Sequence, residues 1–244
     1  MNAFDLTGKT ILVTGASSGL GRQTAITISR YGATVCITGR NRERLDRTFQ
    51  ELAGSGHQQI IADLTMAQEI EHLAEALPGL NGVVYSTGIS DLVPTKFISD
   101  KDIEKNFSIG FNASVLLTSA LQKKKRLTGG NCSLVFISTI STKYPFVGGA
   151  MYISARAALE GYARVLMLEL VGKGIRVNCV SPGFVNGPLL ESTQEQISKE
   201  KVEMIRERQP LGLGEPEDVA NVILFYLSDA SKWVTGTNLI LGGG

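Results

Sequence analysis

Histidine is nearly missing from this chain: only His57 and His72 occur in 244 residues, and both sit among polar neighbours. A histidine-bound zinc centre or a serine–histidine–aspartate triad is therefore not expected, and no metal site is assigned. Cysteine is almost as sparse. Cys36, Cys132 and Cys179 show no metal-like spacing, and each falls in or beside an apolar run. Such residues read as small buried side chains of a protein kept in a reducing compartment. No stretch is long and apolar enough to span a bilayer. The start, Met1-Asn2-Ala3-Phe4-Asp5, lacks the basic and apolar regions of a signal peptide. Charge of one sign is lacking too, since 24 Lys+Arg stand against 23 Asp+Glu. That balance gives no bulk attraction to nucleic acid or to an anionic membrane. A cytoplasmic protein with neither partner is the expectation. No linker, repeat or low-complexity tract divides the sequence, so residues 1–244 are expected to form a single domain.

Glycine is plentiful, and its placement carries information. Thr14-Gly15-Ala16-Ser17-Ser18-Gly19-Leu20-Gly21 follows a short apolar run at 10–13 and precedes a helical pattern at 22–31. The unit is strand, glycine-rich turn, helix. Glycine permits the tight turn and lets backbone approach a ligand closely. The new helix points unpaired N–H groups and the positive end of its dipole at whatever sits there. A dinucleotide pyrophosphate is the usual occupant of such a unit, although the glycines at 15, 19 and 21 depart from plain G-x-G-x-x-G spacing.

Strand and helix patterns alternate along the rest of the chain. Short Val/Ile-rich runs at 34–38, 59–62, 82–86, 133–137, 175–180 and 238–241 read as strands covered on both faces. Helical patterns lie at 42–53, 67–77, 101–123, 151–173 and 216–227, with Asp63 or Thr65 expected to cap the second of these and Ser99 the third. The expected architecture is an α/β doubly wound parallel sheet, Rossmann-like, in three α/β/α layers, with the ligand crevice beyond the strands' carboxyl ends. Lys123-Lys124-Lys125-Arg126 reads as a solvated helix end favoured by the dipole.

The second strand ends in Ile37-Thr38-Gly39-Arg40. An acid there would bind ribose hydroxyls; Arg40 instead suits a 2′-phosphate, which favours NADP(H) over NAD(H). Asp63, past the third strand, is read equally as an adenine contact and as a helix cap. Ser181-Pro182-Gly183-Phe184-Val185 forms a turn at a strand's carboxyl end, and residues 187–210 lie where a lid over the crevice would lie.

The ordered set of the Thr14–Gly21 turn, Tyr152 in its helix, Arg176-Val177-Asn178-Cys179-Val180-Ser181-Pro182-Gly183 and Gly214-Glu215-Pro216-Glu217-Asp218-Val219-Ala220 resembles the core-length short-chain dehydrogenases/reductases, and is similar to the 3-oxoacyl-[acyl-carrier-protein] reductases. The resemblance covers about residues 5–244. It implies hydride transfer between a nicotinamide and a carbonyl or alcohol carbon, a small-molecule substrate, and a homo-oligomer, tetramer or dimer, formed through the 101–123 and 151–173 helices. The implied cofactor contacts are Gly15, Ser17, Ser18, Gly19, Leu20 and Gly21 of the turn, then Arg40, Asp63 and Leu64. Beyond these come Ser86 and Gly88, Tyr152 and Arg156, and Pro182, Gly183 and Val185.

The implied catalytic set departs from the family's. Tyr152 stands at the acid/base tyrosine. A free phenol has a pKa of about 10, so it needs a nearby positive charge to act near neutrality. The family's lysine four residues later is Arg156 here, its serine is Thr139, and its water-holding asparagine is Gly110. The family's Asn-Asn-Ala-Gly is Tyr85-Ser86-Thr87-Gly88, and the threonine after its Pro-Gly turn is Gly187. Thr139 keeps a hydroxyl. Arg156 keeps the charge but releases no proton at accessible pH. Two functions fit: an NADP(H)-dependent oxidoreductase, or a cofactor-binding protein of the same fold with weak or no catalysis. Tyr144, Phe146, Leu189, Leu190 and residues 90–95 are expected to wall a mixed apolar substrate pocket.

Overall fold

Each of the seven Val/Ile-rich runs becomes a strand: β1 (Thr10–Thr14), β2 (Thr34–Gly39), β3 (Gln58–Ile61), β4 (Gly82–Tyr85), β5 (Cys132–Ile137), β6 (Ile175–Pro182) and β7 (Asn238–Leu241). The computed structural model describes residues 2–194 and 209–243. All pairings are parallel, in the order β3-β2-β1-β4-β5-β6-β7. The order reverses between β1 and β4, where a crevice opens past the strands' carboxyl ends.

Successive residues on one strand serve opposite layers, because side chains alternate across a sheet. Leu12 joins a core with Leu73, Leu117 and Leu159, while Ile11 and Val13 join a second core with Ala25, Ile28 and Ile223. The first layer carries α3 (Ala67–Ala76), α5 (Ala113–Lys123) and α6 (Ala150–Leu170). The second carries α1 (Gly19–Arg30), α2 (Arg42–Gln50) and α8 (Pro216–Leu227). Burial on both faces accounts for the absence of polar alternation in the strands. The three cysteines are buried in β2, β5 and β6, and burial raises their thiols to about 11 for Cys36 and about 12 for Cys132 and Cys179. Among the described residues, no helix is long and apolar enough to cross a membrane.

Three local expectations are corrected. The 101–123 helix is not continuous: α4 (Asp100–Phe107) passes through a π turn, Ser108–Asn112, before α5 begins. Its central Gly110 lies against α6, where an added Cβ would stand 3.1 Å from Ala155 Cβ. An extra residue in the turn accommodates that close approach and aims Phe111 edge-on at Tyr162, with ring centroids 6.2 Å apart. Neither Asp63 nor Thr65 caps α3, whose N-cap is Met66. The Asp63 carboxylate instead accepts from Thr65 N at 2.9 Å and Thr65 Oγ1 at 2.8 Å, an Asx turn that ends before the helix starts. Ser99 does open α4, where Asp102 Oδ2 accepts from its N at 2.8 Å and its Oγ at 2.6 Å. The basic run after α5 is only partly free in solvent. Lys124 pairs with Glu75 at 2.5 Å, and Arg126 donates to the α3 carbonyls of Ala74 and Glu75 at 3.0 and 2.7 Å. Cations at a helix C-terminus are favoured by its dipole.

Candidate active site

A cleft of about 530 Å³ opens at the carboxyl ends of the strands, the size of a small-molecule site. Its floor is the turn between β1 and α1. Gly15 has φ +63°, and a Cβ there would stand 2.8 Å from Ser86 O, so only glycine lets the β1 and β4 ends come this close. Thr14 Oγ1 accepts from Ser86 N at 3.0 Å and fixes the same junction. Thr48 Oγ1 donates to Ala16 O at 2.9 Å, tying the turn to α2. Ser17, Ser18, Gly19 and Leu20 line the cleft. The Ser18 side chain makes no cap bond, and no acid occupies the first turn of α1, so the helix offers its positive end to the cleft uncontested. Gly21 stands apart from the rest of the motif. It does not line the cleft; a Cβ there would stand 2.5 Å from Gly15 O, so this glycine serves the packing of α1 on the turn.

Arg40 lines one end of the cleft, with its Nη1 3.5 Å from Asp63 Oδ2 and its side chain 62% exposed. Burial of Asp63 opposes its charge, yet the bonds from Thr65 and the nearby Arg40 outweigh it and hold the carboxyl below the usual range. Leu64 lines the cleft beside it. Asn41 and Arg44 line it too, and neither was singled out from the sequence. The dense basic run Arg40-Asn41-Arg42-Glu43-Arg44 was the signal available.

At the other end stand Thr139 and two α6 residues, Tyr152 and Arg156, all three buried and all in the cleft wall. Four residues on a helix is about one turn, which places Tyr152 and Arg156 on one face. Arg156 Cζ lies 5.7 Å from the Tyr152 ring centroid, within cation–π range. The guanidinium is held from both sides: Nη1 donates to Ile137 O at 3.0 Å and Nη2 to Thr87 O at 3.1 Å. It thereby braces the ends of β5 and β4 together. A Cβ at Gly88 would overlap Nη2, so Gly88 makes room for this larger cation. Thr139 Oγ1 accepts from Ser141 N and donates to Ser141 Oγ, both at 3.2 Å. Ser141, which lines the cleft as well, was missed; the hydroxyl-rich run Ser138-Thr139-Ile140-Ser141-Thr142 was its only trace.

Ser86, Gly88, Pro182, Gly183 and Val185 line the cleft as expected from the resemblance. Gln209 holds the turn after β6: its Oε1 accepts from Phe184 N at 2.6 Å, and its Nε2 donates to Phe184 O at 3.1 Å. Of the expected substrate walls, Ser90, Asp91, Phe146, Leu189 and Leu190 line the cleft. Tyr144 does not; it follows the turn at Ile140–Thr142 and is 65% exposed. Of the expected lid at 187–210, the helix α7 (Pro188–Gln194) borders the cleft, and residues 195–208 lie outside the described residues. Gly110 does not line the cleft, and Asn112 is exposed, so neither supplies a polar group there.

The lining fits a dinucleotide on two observations. The uncapped α1 terminus behind its required glycine has the form that suits an anion such as phosphate. Arg156 Nε and Thr87 Oγ1, both buried in cleft-lining residues, have no partner among the described protein atoms, and hydroxyl groups of a ligand suit them.

Comparison with known proteins identifies the family. A family model described as enoyl-(acyl carrier protein) reductase matches residues 15–244. The chain is 32% identical over 243 residues to the 3-oxoacyl-[acyl-carrier-protein] reductase FabG of Rickettsia felis, covering 99% of this chain and 98% of the relative. It is 31% identical to the human (3R)-3-hydroxyacyl-CoA dehydrogenase, covering 96% of this chain and 94% of the relative. Among solved structures, a short chain dehydrogenase/reductase family protein superposes with a TM-score of 0.88 at 31% identity, covering 98% of each chain. A putative NAD(P)-dependent gluconate 5-dehydrogenase from Beutenbergia cavernae, with bound NADP at low occupancy, superposes with a TM-score of 0.91 at 28% identity, covering 100% of this chain and 98% of that one. The chain belongs to the short-chain dehydrogenase/reductase family. It is an oxidoreductase acting between alcohol and carbonyl groups.

Proposed function

We propose that the protein is an NADP(H)-dependent reductase of a small carbonyl compound, or the corresponding alcohol dehydrogenase, of the 3-oxoacyl-[acyl-carrier-protein] reductase type. The observation that carries the reading is the burial of Tyr152, Thr139 and Arg156 in one wall of the cleft whose floor is the glycine turn. The turn and the first turn of α1 bind the cofactor phosphates, and Arg40 takes the 2′-phosphate. When bound there, a nicotinamide would supply the hydride in reduction and accept it in oxidation. Tyr152 gives its hydroxyl proton to the carbonyl oxygen in reduction and removes it from the alcohol in oxidation. Arg156 favours the phenolate left behind, and the Thr139 hydroxyl orients the substrate oxygen. The relatives named 3-oxoacyl-[acyl-carrier-protein] reductase and hydroxyacyl-CoA dehydrogenase support a 3-oxoacyl thioester. Leu116, Val165 and Leu168, apolar and exposed on α5 and α6, support a homo-oligomer. A single domain in the cytoplasm fits the continuous sheet and the reduced cysteines.

A second reading has its own support. Arg156 spends both terminal nitrogens on carbonyls, and Gly110 offers no anchor for water, so proton supply to Tyr152 is altered. On that reading the protein binds the cofactor and turns over little. Titration with NADPH, followed by its oxidation against acetoacetyl-CoA and a panel of ketones, separates the two. Binding with turnover supports the reductase; tight binding without any turnover overturns it.

A further inference from the structure

Glu160 is a buried carboxylate that the chemistry above leaves unused. It lies on α6, one turn beyond Arg156 and two beyond Tyr152, and it forms no ion pair among those found in the described residues. Burying such a group is costly unless hydrogen bonds repay the lost hydration. The bonds it makes are specific. Its Oε1 accepts from Ser138 Oγ at 2.6 Å and from Thr142 Oγ1 at 3.0 Å. Ser181 Oγ lies 3.5 Å from the same oxygen, but its proton is directed to Asn238 Oδ1 at 2.8 Å, so this third contact is weak.

Ser138 and Thr142 bracket a five-residue bend. Ser138 leaves β5, and Thr142 closes the short 3₁₀ turn that follows. Thr139 is the N-cap of that turn. One oxygen of Glu160 therefore holds both ends of the segment that carries Thr139. Thr142 Oγ1 also lies 3.1 Å from Thr139 O, and Ser138 N donates to Val180 O at 2.7 Å. The clamp ties the Thr139 bend to α6, the helix that carries Tyr152. The two hydroxyls assigned to the substrate oxygen come from different elements, and their separation depends on how the bend docks on α6. Hydroxyl bonds to a carboxylate are strong enough to set that docking. Threonine at 139 makes such control useful, because its branched Cβ restricts χ1 and leaves backbone placement to aim the hydroxyl.

We infer that Glu160 is a positioning residue: through Ser138 and Thr142 it fixes Thr139 relative to Tyr152. The inference rests on the reductase reading for its kinetic consequence, but not for its structural one. The test compares Glu160→Gln, which keeps the accepting oxygen, with Glu160→Leu, which removes it, and adds the Ser138→Ala/Thr142→Val double variant. Turnover is measured with NADPH and acetoacetyl-CoA, and amide hydrogen exchange is read peptide by peptide. Expected for Glu160→Leu is a fall in kcat of about tenfold with KM and NADPH affinity within twofold, as for a 1 Å misplacement or less. Exchange should rise in residues 138–142 and stay unchanged in β1 and the glycine turn. Glu160→Gln should retain most of kcat. The double variant should reproduce the Glu160→Leu pattern, and it decides the matter if Glu160→Leu fails to fold. Unchanged exchange at 138–142, or a rise spread evenly over the chain, overturns the clamp, as does Glu160→Gln behaving like Glu160→Leu. A wild type without turnover sinks the reductase reading and leaves the exchange measurement to decide the clamp alone.

Discussion

The two ends of the cleft are built differently. Where β1, β2 and β3 end, the ligand surface is largely backbone: a glycine at φ +63°, an uncapped helix terminus, and exposed side chains such as Arg40 at the rim. Where β4, β5 and β6 end, it is buried side chains held by one another: Arg156 between two carbonyls, Thr139 against Ser141, Ser138 against Glu160. The first end keeps the family's motif nearly whole. The second departs from it at Thr139 and Arg156. A backbone cradle tolerates little change, because phosphate recognition needs specific φ values and close approach. A side-chain site admits exchange of one cation or hydroxyl for another, provided the neighbours make room. Gly88 beside Arg156 is such an accommodation.

This contrast predicts separable losses. Tyr152→Phe acts at the side-chain end alone. It should lower kcat by about 10³-fold, the scale of general acid catalysis, while NADPH affinity measured by fluorescence titration stays within twofold. Arg40→Ala acts at the other end. It should weaken NADPH binding by about 10–100-fold, the worth of a charged hydrogen bond, with NADH binding nearly unchanged. If both cofactors weaken equally, Arg40 meets no 2′-phosphate.

Smaller effects sharpen the difference. Gly88→Ala forces a Cβ into the Arg156 guanidinium. It should cost about 1–3 kcal/mol by thermal unfolding, as overpacking does. Arg156→Lys should split stability from activity. Lysine cannot span both carbonyls, so about 1.5–3 kcal/mol of stability is lost with a charged bond, while turnover with acetoacetyl-CoA holds or rises. A folded but inactive lysine variant would mean that the site is built around the guanidinium. Asp63→Asn gives the least. Its carboxyl is held below the usual range in the folded protein, so the stability it adds is present above the unfolded value near pH 4 and lost as pH falls through the folded one. The ion pair is part-exposed, so less than about 1 kcal/mol is expected, seen as wild-type and variant melting curves converging at acid pH.

Much of the architecture was legible in the residues. Seven Val/Ile-rich runs separated by amphipathic patterns leave few topologies other than a parallel sheet covered on both faces. The glycine turn was legible because its chemistry resides in backbone freedom, which sequence displays directly. Tyr152, Thr139 and Arg156 were found through their order relative to a known family, not through any local pattern of their own. Other features gave weaker signals. The π turn around Gly110 answers to the closeness of α6, over 40 residues away in the chain. Asp63 reads equally as a cap and as an adenine contact; the cap is excluded because its bonds to Thr65 draw it into a turn.

The sequence by itself determined the layered fold, the place of the glycine turn and the identity of the buried cysteines, because periodicity and glycine placement are local properties. Only the tertiary structure decided that Arg156 braces two strand ends, that Gly88 yields it space, and that Glu160 grips both ends of the Thr139 bend. Those relations join residues 18 to 69 positions apart. They exist only once the sheet has brought β4, β5 and α6 together, and hydrogen bonds act over about 3 Å whatever the distance along the chain.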